Sequence, residues 1–301
     1  MEERMVWLDV VRVLAIVLVV SFHIAYELNP DPNLRIFGFF GVSLFFIASG
    51  FALAAHYPKL TSFDLGWFWK RYVKIASLYY PALIVIVFLF SSQTYYGGIN
   101  DLFLHLLFLN FLSPDRAFSI ISPSWFIIPL LGLYLLFPYL NRFAQSKFFL
   151  SLAFLLTLVF RLYNPGWTSF SPLFFIGDFC FGISLAKREN ILLLSSLLVA
   201  FVEPGMALPF IIFYALHFLR PSNNPVTGLF TFISNHTFEF FLFHESIIMV
   251  VFSGWRVFSL NLFLSLLVLL LSMLAVICLS RAILIVLLPS LSQRKKPPFI
   301  N

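Results

Sequence analysis

Charged residues are scarce in this chain of 301 residues: Asp, Glu, Lys and Arg together make up 11% of it, against roughly a quarter in an ordinary soluble domain. Apolar residues make up 61%. Apolar runs of about 18 or more residues recur along the chain, and each is long enough to cross a hydrocarbon core of about 30 Å as a helix. This composition excludes a soluble globular protein, a disordered tail and a coiled coil.

Cysteine is nearly absent. The two cysteines, Cys180 and Cys278, lie far apart, each inside an apolar run. They show no metal-ligand spacing, so a disulfide scaffold is excluded and no metal site is predicted. We expect both thiols to be buried packing residues.

The charge balance is basic, with 19 Lys and Arg against 13 Asp and Glu and a net charge of +6. In a soluble protein this excess could indicate a nucleic-acid partner. Here the basic residues lie in short loops between apolar runs, where they set the orientation of membrane helices. We therefore predict a lipid bilayer as a partner and no nucleic acid.

The apolar runs predict an all-α, polytopic transmembrane helical bundle, built as a single integral-membrane domain over residues 1–301. About ten spans are expected, near 7–27, 37–56, 75–91, 124–141, 148–163, 170–186, 190–203, 206–219, 228–252 and 259–288. Residues 101–113 are apolar but too short to span, so we interpret them as a re-entrant or interfacial helix on the outer side.

The loop charges predict the orientation of these spans. With a cytoplasmic N-terminus, every second loop should be basic. The residues that then fall on the cytoplasmic side are Lys59, Lys70, Arg71, Lys74, Arg142, Lys147, Lys187, Arg188, Arg220 and the tail Arg294, Lys295 and Lys296. The opposite side receives Asp31, Arg35, Asp101, Asp115, Arg116, Arg161, Glu203 and Arg256. This bias places both termini in the cytoplasm.

Three ionisable residues of the first span share one helical face. At about 100° per residue, Arg12 and His23 differ by only about 20°, and Asp9 falls on the same side. Arg12 lies in the cytoplasmic half, and His23 lies toward the outer surface. Charged groups are costly in lipid and usually line a cavity. The alternative is an ion pair between Asp9 and Arg12 at the membrane edge and a packed, hydrogen-bonded histidine.

Two sequence blocks resemble the integral-membrane acyltransferase family called acyltransferase type three. The first block is Arg12, ten residues, then His23. The second block, residues 41–51, matches the family's second-span pattern Gly-Val-x-Leu-Phe-Phe-x-x-Ser-Gly-Phe at every fixed position. This second match is specific.

Three later blocks extend the resemblance over nearly the whole chain. Residues 71–79 resemble the family's Arg-x-x-Arg-Ile-x-Pro-x-Tyr, with Lys74 at the second Arg and Ser77 at the Pro. Residues 125–138 keep the family's spacing from Trp to Tyr and Pro, with Leu130 where many members have Glu. Residues 234–244 resemble a late-span pattern that ends in Tyr-Leu-x-His.

The resemblance implies transfer of an acyl group, usually acetyl, from acyl-coenzyme A to a hydroxyl of a sugar. In that picture His23 is the catalytic base, and Arg12, Arg71 and Lys74 bind the donor. A neutral imidazole can accept the hydroxyl proton. Trp125 and His244 complete the expected substrate-binding set. The donor is a substrate, and no cofactor is expected.

The positions of His23 and His244 within their predicted spans place them at similar depth in the membrane. Each histidine lies about 16 residues into an outward-running span, so both should lie about 24 Å from the cytoplasmic edge. The resemblance also implies a carbohydrate acceptor, on a cell-surface or exported glycan, and a multi-pass protein of the bacterial inner membrane.

Simpler interpretations exist for each binding residue. Topology alone explains Arg71 and Lys74 in a basic loop, and Trp125 has the position of an interfacial anchor. His244 could be a buried, hydrogen-bonded histidine. At the level of the whole chain, the alternatives are a transporter or flippase of a lipid-linked sugar and an inactive assembly subunit. No symmetry between the two halves supports the transporter.

Overall fold

The computed structural model describes residues 5–90, 98–112, 116–144, 146–163, 170–187, 204–220, 225–258 and 262–287. Within these ranges the chain is all-helical and contains no strand. The predicted span 190–203 lies outside them. The eleven α-helices of the described ranges are α1 (Val6–Leu28), α2 (Arg35–His56), α3 (Leu65–Phe90), α4 (Ile99–Leu106), α5 (Ile127–Phe143), α6 (Lys147–Tyr163), α7 (Ile176–Ala186), α8 (Pro204–Leu219), α9 (Pro225–Ser234), α10 (Thr237–Phe258) and α11 (Leu262–Leu287).

Five helical segments of the described residues are long and apolar enough to cross a membrane. They are Val6–Leu28, Phe37–His56, Leu65–Leu89, Ser122–Phe143 and Leu264–Val286. Segments Ile176–Ala186 and Ala207–Leu219 are apolar but shorter. The chain is therefore a multi-pass membrane protein. At about 1.5 Å per residue, α7 by itself is too short to cross the hydrocarbon core as the predicted span 170–186 would.

Helix α3 begins ten residues before the predicted span, at Leu65. The Asp64 carboxylate accepts a hydrogen bond from the backbone N–H of Trp67 at 2.9 Å, which caps the first turn. Consequently Arg71 and Lys74 lie within a helix, and the prediction that they lie in a loop is wrong. Hydropathy located the later part of this helix and missed residues 65–74, which contain Lys70, Arg71 and Lys74.

The predicted span 228–252 is divided in the structure. Helix α9 ends at Ser234 and α10 begins at Thr237, and the Asn235 N–H bonds the carbonyls of Thr231 and Phe232 in the turn. Short polar side chains favour caps and turns over helix interiors. The apolar residues on both sides hid this break from a hydropathy average.

The chain divides into two compact units. Unit 1 comprises Met1–Val19, Arg35–Trp69 and Phe126–Asn235, and unit 2 comprises Val20–Leu34, Lys70–Trp125 and His236–Asn301. Helix α1 contributes its first part to unit 1 and its last part to unit 2.

Close backbone contact between α2 and α7 forms the centre of unit 1. A Cβ atom on Gly50 would lie 2.1 Å from the Phe179 carbonyl oxygen, and one on Gly182 would lie 2.1 Å from the Ile47 carbonyl oxygen. Small residues that let helix backbones approach are typical of membrane interfaces. Gly50 belongs to the second-span motif, so this motif position is explained by packing.

The same motif contacts α1 through its first residue. A Cβ atom on Gly41 would lie 2.4 Å from the Ala15 carbonyl oxygen and 2.7 Å from Cγ2 of Val19. Glycine at position 41 therefore lets α2 lie against the helix that carries Arg12.

A buried ion pair joins α6 to α7 in unit 1. Arg161 pairs with Asp178 and donates a second bond of 3.2 Å to the Ser43 hydroxyl. Its guanidinium carbon lies 5.4 Å and 5.5 Å from the ring centroids of Phe174 and Phe175. Arg161, predicted to lie on the outer side at the end of the span 148–163, is a buried residue of α6 that anchors Asp178 and Ser43, which occupies a variable position of the second-span motif.

Three of the predicted cytoplasmic loops meet at Asn141 in unit 1. The Asn141 side chain donates hydrogen bonds to the carbonyls of Tyr57 (3.2 Å), Pro58 (3.3 Å) and Leu60 (2.8 Å). The Lys187 ammonium donates to the Asn141 carbonyl, and partial burial there lowers the pKa of Lys187. The C-terminal ends of α2, α5 and α7 therefore lie at one end of this unit.

Unit 2 contains most of α3 together with α4, α10 and α11. Arg281 of α11 pairs with the buried Glu239 of α10, which joins the two helices by an internal charge pair. Of residues 101–113, predicted as one short helix, residues 101–112 contain the end of α4 and a 3₁₀ turn, Asn110–Leu112, and residue 113 lies outside the described residues.

A buried polar network surrounds His105 of α4. The Tyr79 hydroxyl lies 2.8 Å from His105 Nδ1, and His105 Nε2 lies 3.1 Å from Ser119 Oγ, which donates to the Arg116 carbonyl at 2.8 Å. A neutral His105 with its proton on Nε2 satisfies all three bonds. Burial lowers the pKa of His105 to about 4, and the carboxylate of Asp101, paired with Arg116 at 3.0 Å, opposes this shift.

The two cysteines differ from each other. Cys180 is buried in α7, as predicted, whereas Cys278 of α11 is exposed. The prediction that both are buried is therefore wrong for Cys278. Because apolar residues are spread almost evenly around α11, its hydropathy pattern does not show which side packs against protein.

Candidate active site

The rings of His23 and His244 meet in unit 2. Their centroids are 4.7 Å apart and their planes are inclined at 70°. His23 is half-buried, whereas His244 is fully buried. The two histidines that the sequence places at similar depth are thus in edge contact, one accessible and the other enclosed.

The hydrogen bonding of His244 defines its tautomer. Its Nδ1 lies 2.7 Å from the backbone carbonyl oxygen of Phe241, one turn earlier in α10. Because a carbonyl only accepts, Nδ1 carries the proton and Nε2 of the neutral ring carries a lone pair. Nε2 is buried and has no hydrogen-bond partner among the residues that the structure describes.

A second contact links α10 to the block that contains Trp125. Glu245, next to His244, hydrogen-bonds the Ser122 side chain. Ser122 begins the 3₁₀ helix Ser122–Phe126, in which Trp125 is half-buried. Leu130, at the position where many relatives have Glu, is buried in α5.

The carboxylate of Asp9 is held by three side chains in unit 1. Arg12 Nη1 lies 3.3 Å from Oδ1, Ser234 donates to Oδ1 at 2.7 Å, and Thr231 donates to Oδ2 at 3.3 Å. The Asp9 side chain is 2% exposed and that of Arg12 is 19% exposed. The ion pair that the sequence offered as one alternative is present, and hydroxyl groups of α9 share the carboxylate with Arg12.

The expected donor-binding residues of α3 occupy its first half. Arg71 is half-buried and Lys74, one turn later, is exposed. A spacing of three residues puts both on one side of the helix. Ser77, at the position of the family's proline, donates to the Lys74 carbonyl at 3.0 Å.

Sequence reasoning missed the Arg161–Asp178 pair, the Glu239–Arg281 pair and the His105 network. A signal was present for both ion pairs, since acidic residues at positions 178 and 239 interrupt apolar runs. No comparable signal marked His105, because its partners come from separate segments. Among the described residues, no group of three or more His, Cys, Asp and Glu side chains could hold a metal ion.

The fold is that of a multi-pass, all-helical membrane protein with paired ionisable groups inside its helices. A sequence model described as an acyltransferase domain matches residues 5–202, about two thirds of the chain. The chain belongs to the acyltransferase type three family and is an acyltransferase of the membrane. No curated protein and no solved structure matches it significantly. The matched region includes Arg12, His23, Arg71, Lys74 and Trp125 and ends before His244, whose assignment depends on its contact with His23.

Proposed function

We propose that this acyltransferase moves an acyl group, most simply acetyl, from acyl-coenzyme A to a hydroxyl of a carbohydrate on a cell-surface or exported glycan. His23 is the general base. The observation that carries this proposal is the half-buried His23 ring, in a chain of this family, held against the enclosed His244 ring at 4.7 Å.

The reaction follows from an imidazole that is neutral near pH 7. One ring nitrogen of His23 takes the proton of the acceptor hydroxyl as the oxygen attacks the thioester carbonyl. The new C–O bond forms, the C–S bond breaks, and the imidazolium returns the proton to the departing thiolate. His23 therefore ends the cycle neutral, and the products are an ester and free coenzyme A.

The donor is bound by the basic residues of α1 and α3. Arg71 and Lys74 face the phosphates of coenzyme A, where Arg gives a planar, bidentate contact and Lys a point charge. Arg12 contacts the donor from the first span while Asp9 holds its guanidinium. Trp125 borders the acceptor side of the site. The donor is consumed in the reaction, so no further cofactor is invoked.

The proposed topology has about ten spans and both termini in the cytoplasm, in a bacterial inner membrane. The contacts of Asn141 support this topology. It assigns the C-terminal ends of α2, α5 and α7 to the cytoplasmic side, and these three helix ends meet in the structure. In this orientation the basic start of α3 faces the compartment that supplies acyl-coenzyme A.

The test is the ester content of surface glycans in cells with and without the gene. We expect base-labile acetate to be lost without the gene and restored by the wild-type chain but not by His23→Ala. His56→Ala is the matched control, since it removes an imidazole whose Nδ1 contacts a carbonyl of its own helix, that of Ala52, at 2.7 Å. A flippase would instead lower the amount of exported glycan and leave its acetate content per sugar unchanged. Full acetylation by His23→Ala at matched protein level would end the assignment.

A further inference from the structure

His244 has an unused hydrogen-bond acceptor beside the proposed base. Its Nδ1–H donates to the Phe241 carbonyl, so the lone pair on Nε2 is fixed by the backbone of α10 and not by a titration. Nε2 has no hydrogen-bond partner among the described residues. A buried acceptor without a donor is unfavourable, so a donor is expected during function.

Burial determines which group can be that donor. His244 is fully enclosed, so a substrate hydroxyl reaches the half-buried His23 before it could reach Nε2. The His23 ring is a polar side chain in contact with the His244 ring. Other ring neighbours of the pair, Phe22 and Phe241, are apolar.

We propose that His244 is a positioning residue that acts through His23: one N–H of His23 donates to His244 Nε2, and the opposite nitrogen of His23 is thereby held unprotonated toward the acceptor hydroxyl. This inference rests on the proposed function of His23. The chain of bonds runs from His23 to His244 to the Phe241 carbonyl. It follows the general arrangement in which a base is oriented by a third group.

The distance between the His23 and His244 rings is compatible with this hydrogen bond. A hydrogen bond between two ring nitrogens about 2.9 Å apart separates the imidazole centroids by roughly 5 Å, and the observed separation is 4.7 Å with the planes at 70°. In the proposed arrangement, a rotation of the partly exposed His23 ring brings one of its N–H groups to His244 Nε2. No proton leaves His23 toward His244 in this scheme, because His244 Nε2 only accepts the hydrogen bond.

Two substitutions at position 244 distinguish the role of Nδ1 from the role of Nε2. His244→Asn places an amide near Nδ1, so the bond to Phe241 is kept and the Nε2 acceptor is lost. His244→Gln carries an amide oxygen near Nε2, so the acceptor is kept without basicity. Phe22→Leu is the matched control, because it removes another ring that lies 4.7 Å from His23 but offers no hydrogen-bond acceptor.

The first measurement is the tautomer of His23, read from the ¹⁵N chemical shifts of ¹⁵N-histidine in the full chain in nanodiscs. We expect one dominant His23 tautomer in the wild type, in His244→Gln and in Phe22→Leu, and a mixture in His244→Asn. An unchanged His23 tautomer in His244→Asn would overturn the proposal. This result does not depend on the acyl acceptor, so it stands or falls separately from the proposed function.

The second measurement is transfer of labelled acetyl from acetyl-coenzyme A to base-labile ester in glycan-bearing membranes. His244→Asn should lower kcat at least about tenfold, since a misoriented base loses much of its contribution, and should leave KM for the donor unchanged. His244→Gln should recover activity to within a few-fold of the wild type. Equal losses in both variants, or a loss as large in Phe22→Leu, would assign His244 to packing and contradict the proposal.

Discussion

Ser234 donates a hydrogen bond of 2.7 Å to Asp9, although the two residues are 225 positions apart in the chain. Thr231 adds a second donor at 3.3 Å. The carboxylate of Asp9 therefore has hydrogen-bond donors besides Arg12. Removing the Arg12 guanidinium leaves the carboxylate hydrogen-bonded, whereas removing the carboxylate leaves the guanidinium and two hydroxyls without this acceptor. This relationship makes the role of Arg12 testable.

The first prediction concerns Arg12 in a double-mutant cycle with Asp9. Arg12→Met should yield an inserted, folded and inactive protein, because two hydroxyl donors still serve Asp9. Asp9→Leu should cost about 1–3 kcal/mol of stability, since the hydroxyls of Ser234 and Thr231 lose their acceptor. The double variant should regain only the part of the stability that is lost by leaving the Arg12 guanidinium without its carboxylate, and should stay inactive. A fully active double variant would show that Arg12 serves an ion pair only.

The second prediction concerns the contact between α2 and α7. Gly50→Ala should lower the free energy of unfolding by about 2 kcal/mol or more, because its Cβ would lie 2.1 Å from a backbone oxygen that cannot move without shifting α7. Thermal unfolding in detergent measures this. Gly228→Ala is the control: nothing lies within 4 Å of its Cβ, so it should be neutral or stabilising. Equal melting temperatures would refute the close-contact argument.

The third prediction concerns the pair formed by Arg161 and Asp178. Arg161→Met should destabilise the protein by about 3–5 kcal/mol, because it leaves a buried carboxylate without its cation. Adding Asp178→Leu should recover most of that loss. Resistance to proteolysis and melting temperature report both effects. If the double variant is no more stable than the single one, the two side chains do not act as a pair.

The fourth prediction concerns pH. The pKa of His105 is lowered to about 4 from its ordinary 6.5, so the unfolded chain binds more protons than the folded chain between these values. Stability should therefore fall as pH is lowered from about 6.5 toward 4. Charged and titratable groups near the ring are Asp101, Arg116 and Tyr79. In His105→Gln the decline should be shallower, because the contribution of this imidazole is removed; an identical pH slope would contradict the assignment.

The fifth prediction concerns donor binding by α3. Arg71→Glu and Lys74→Glu should each raise KM for acyl-coenzyme A about tenfold or more, with a smaller effect on kcat, because phosphate contacts are made in ground and transition states alike. Lys74→Arg should be tolerated or improve binding. Lys70→Glu, at an exposed position of the same helix, is the control for a general charge effect. An unchanged KM would leave Arg71 and Lys74 with a role in topology alone.

Hydropathy was sufficient to predict the class of fold and most of the helices. The predicted spans at 37–56 and 148–163 match α2 and α6 closely, because a continuous apolar run is itself the signal. The start of α3 was missed because the cap of Asp64 is a local hydrogen bond, to which a hydropathy average is insensitive. The break at residues 235 and 236 was missed for the same reason.

The sequence by itself determined that the chain lies in a membrane, that its helices are apolar, and that Arg12 and His23 share a helical face, because composition and periodicity are properties of neighbouring residues. Tertiary structure alone decided which polar groups pair. Asp9 with Ser234, Arg161 with Asp178, and His23 against His244 join residues that are distant in the chain. The physical reason is that a buried charge or imidazole is stable only with a partner, and the identity of that partner depends on how the helices pack.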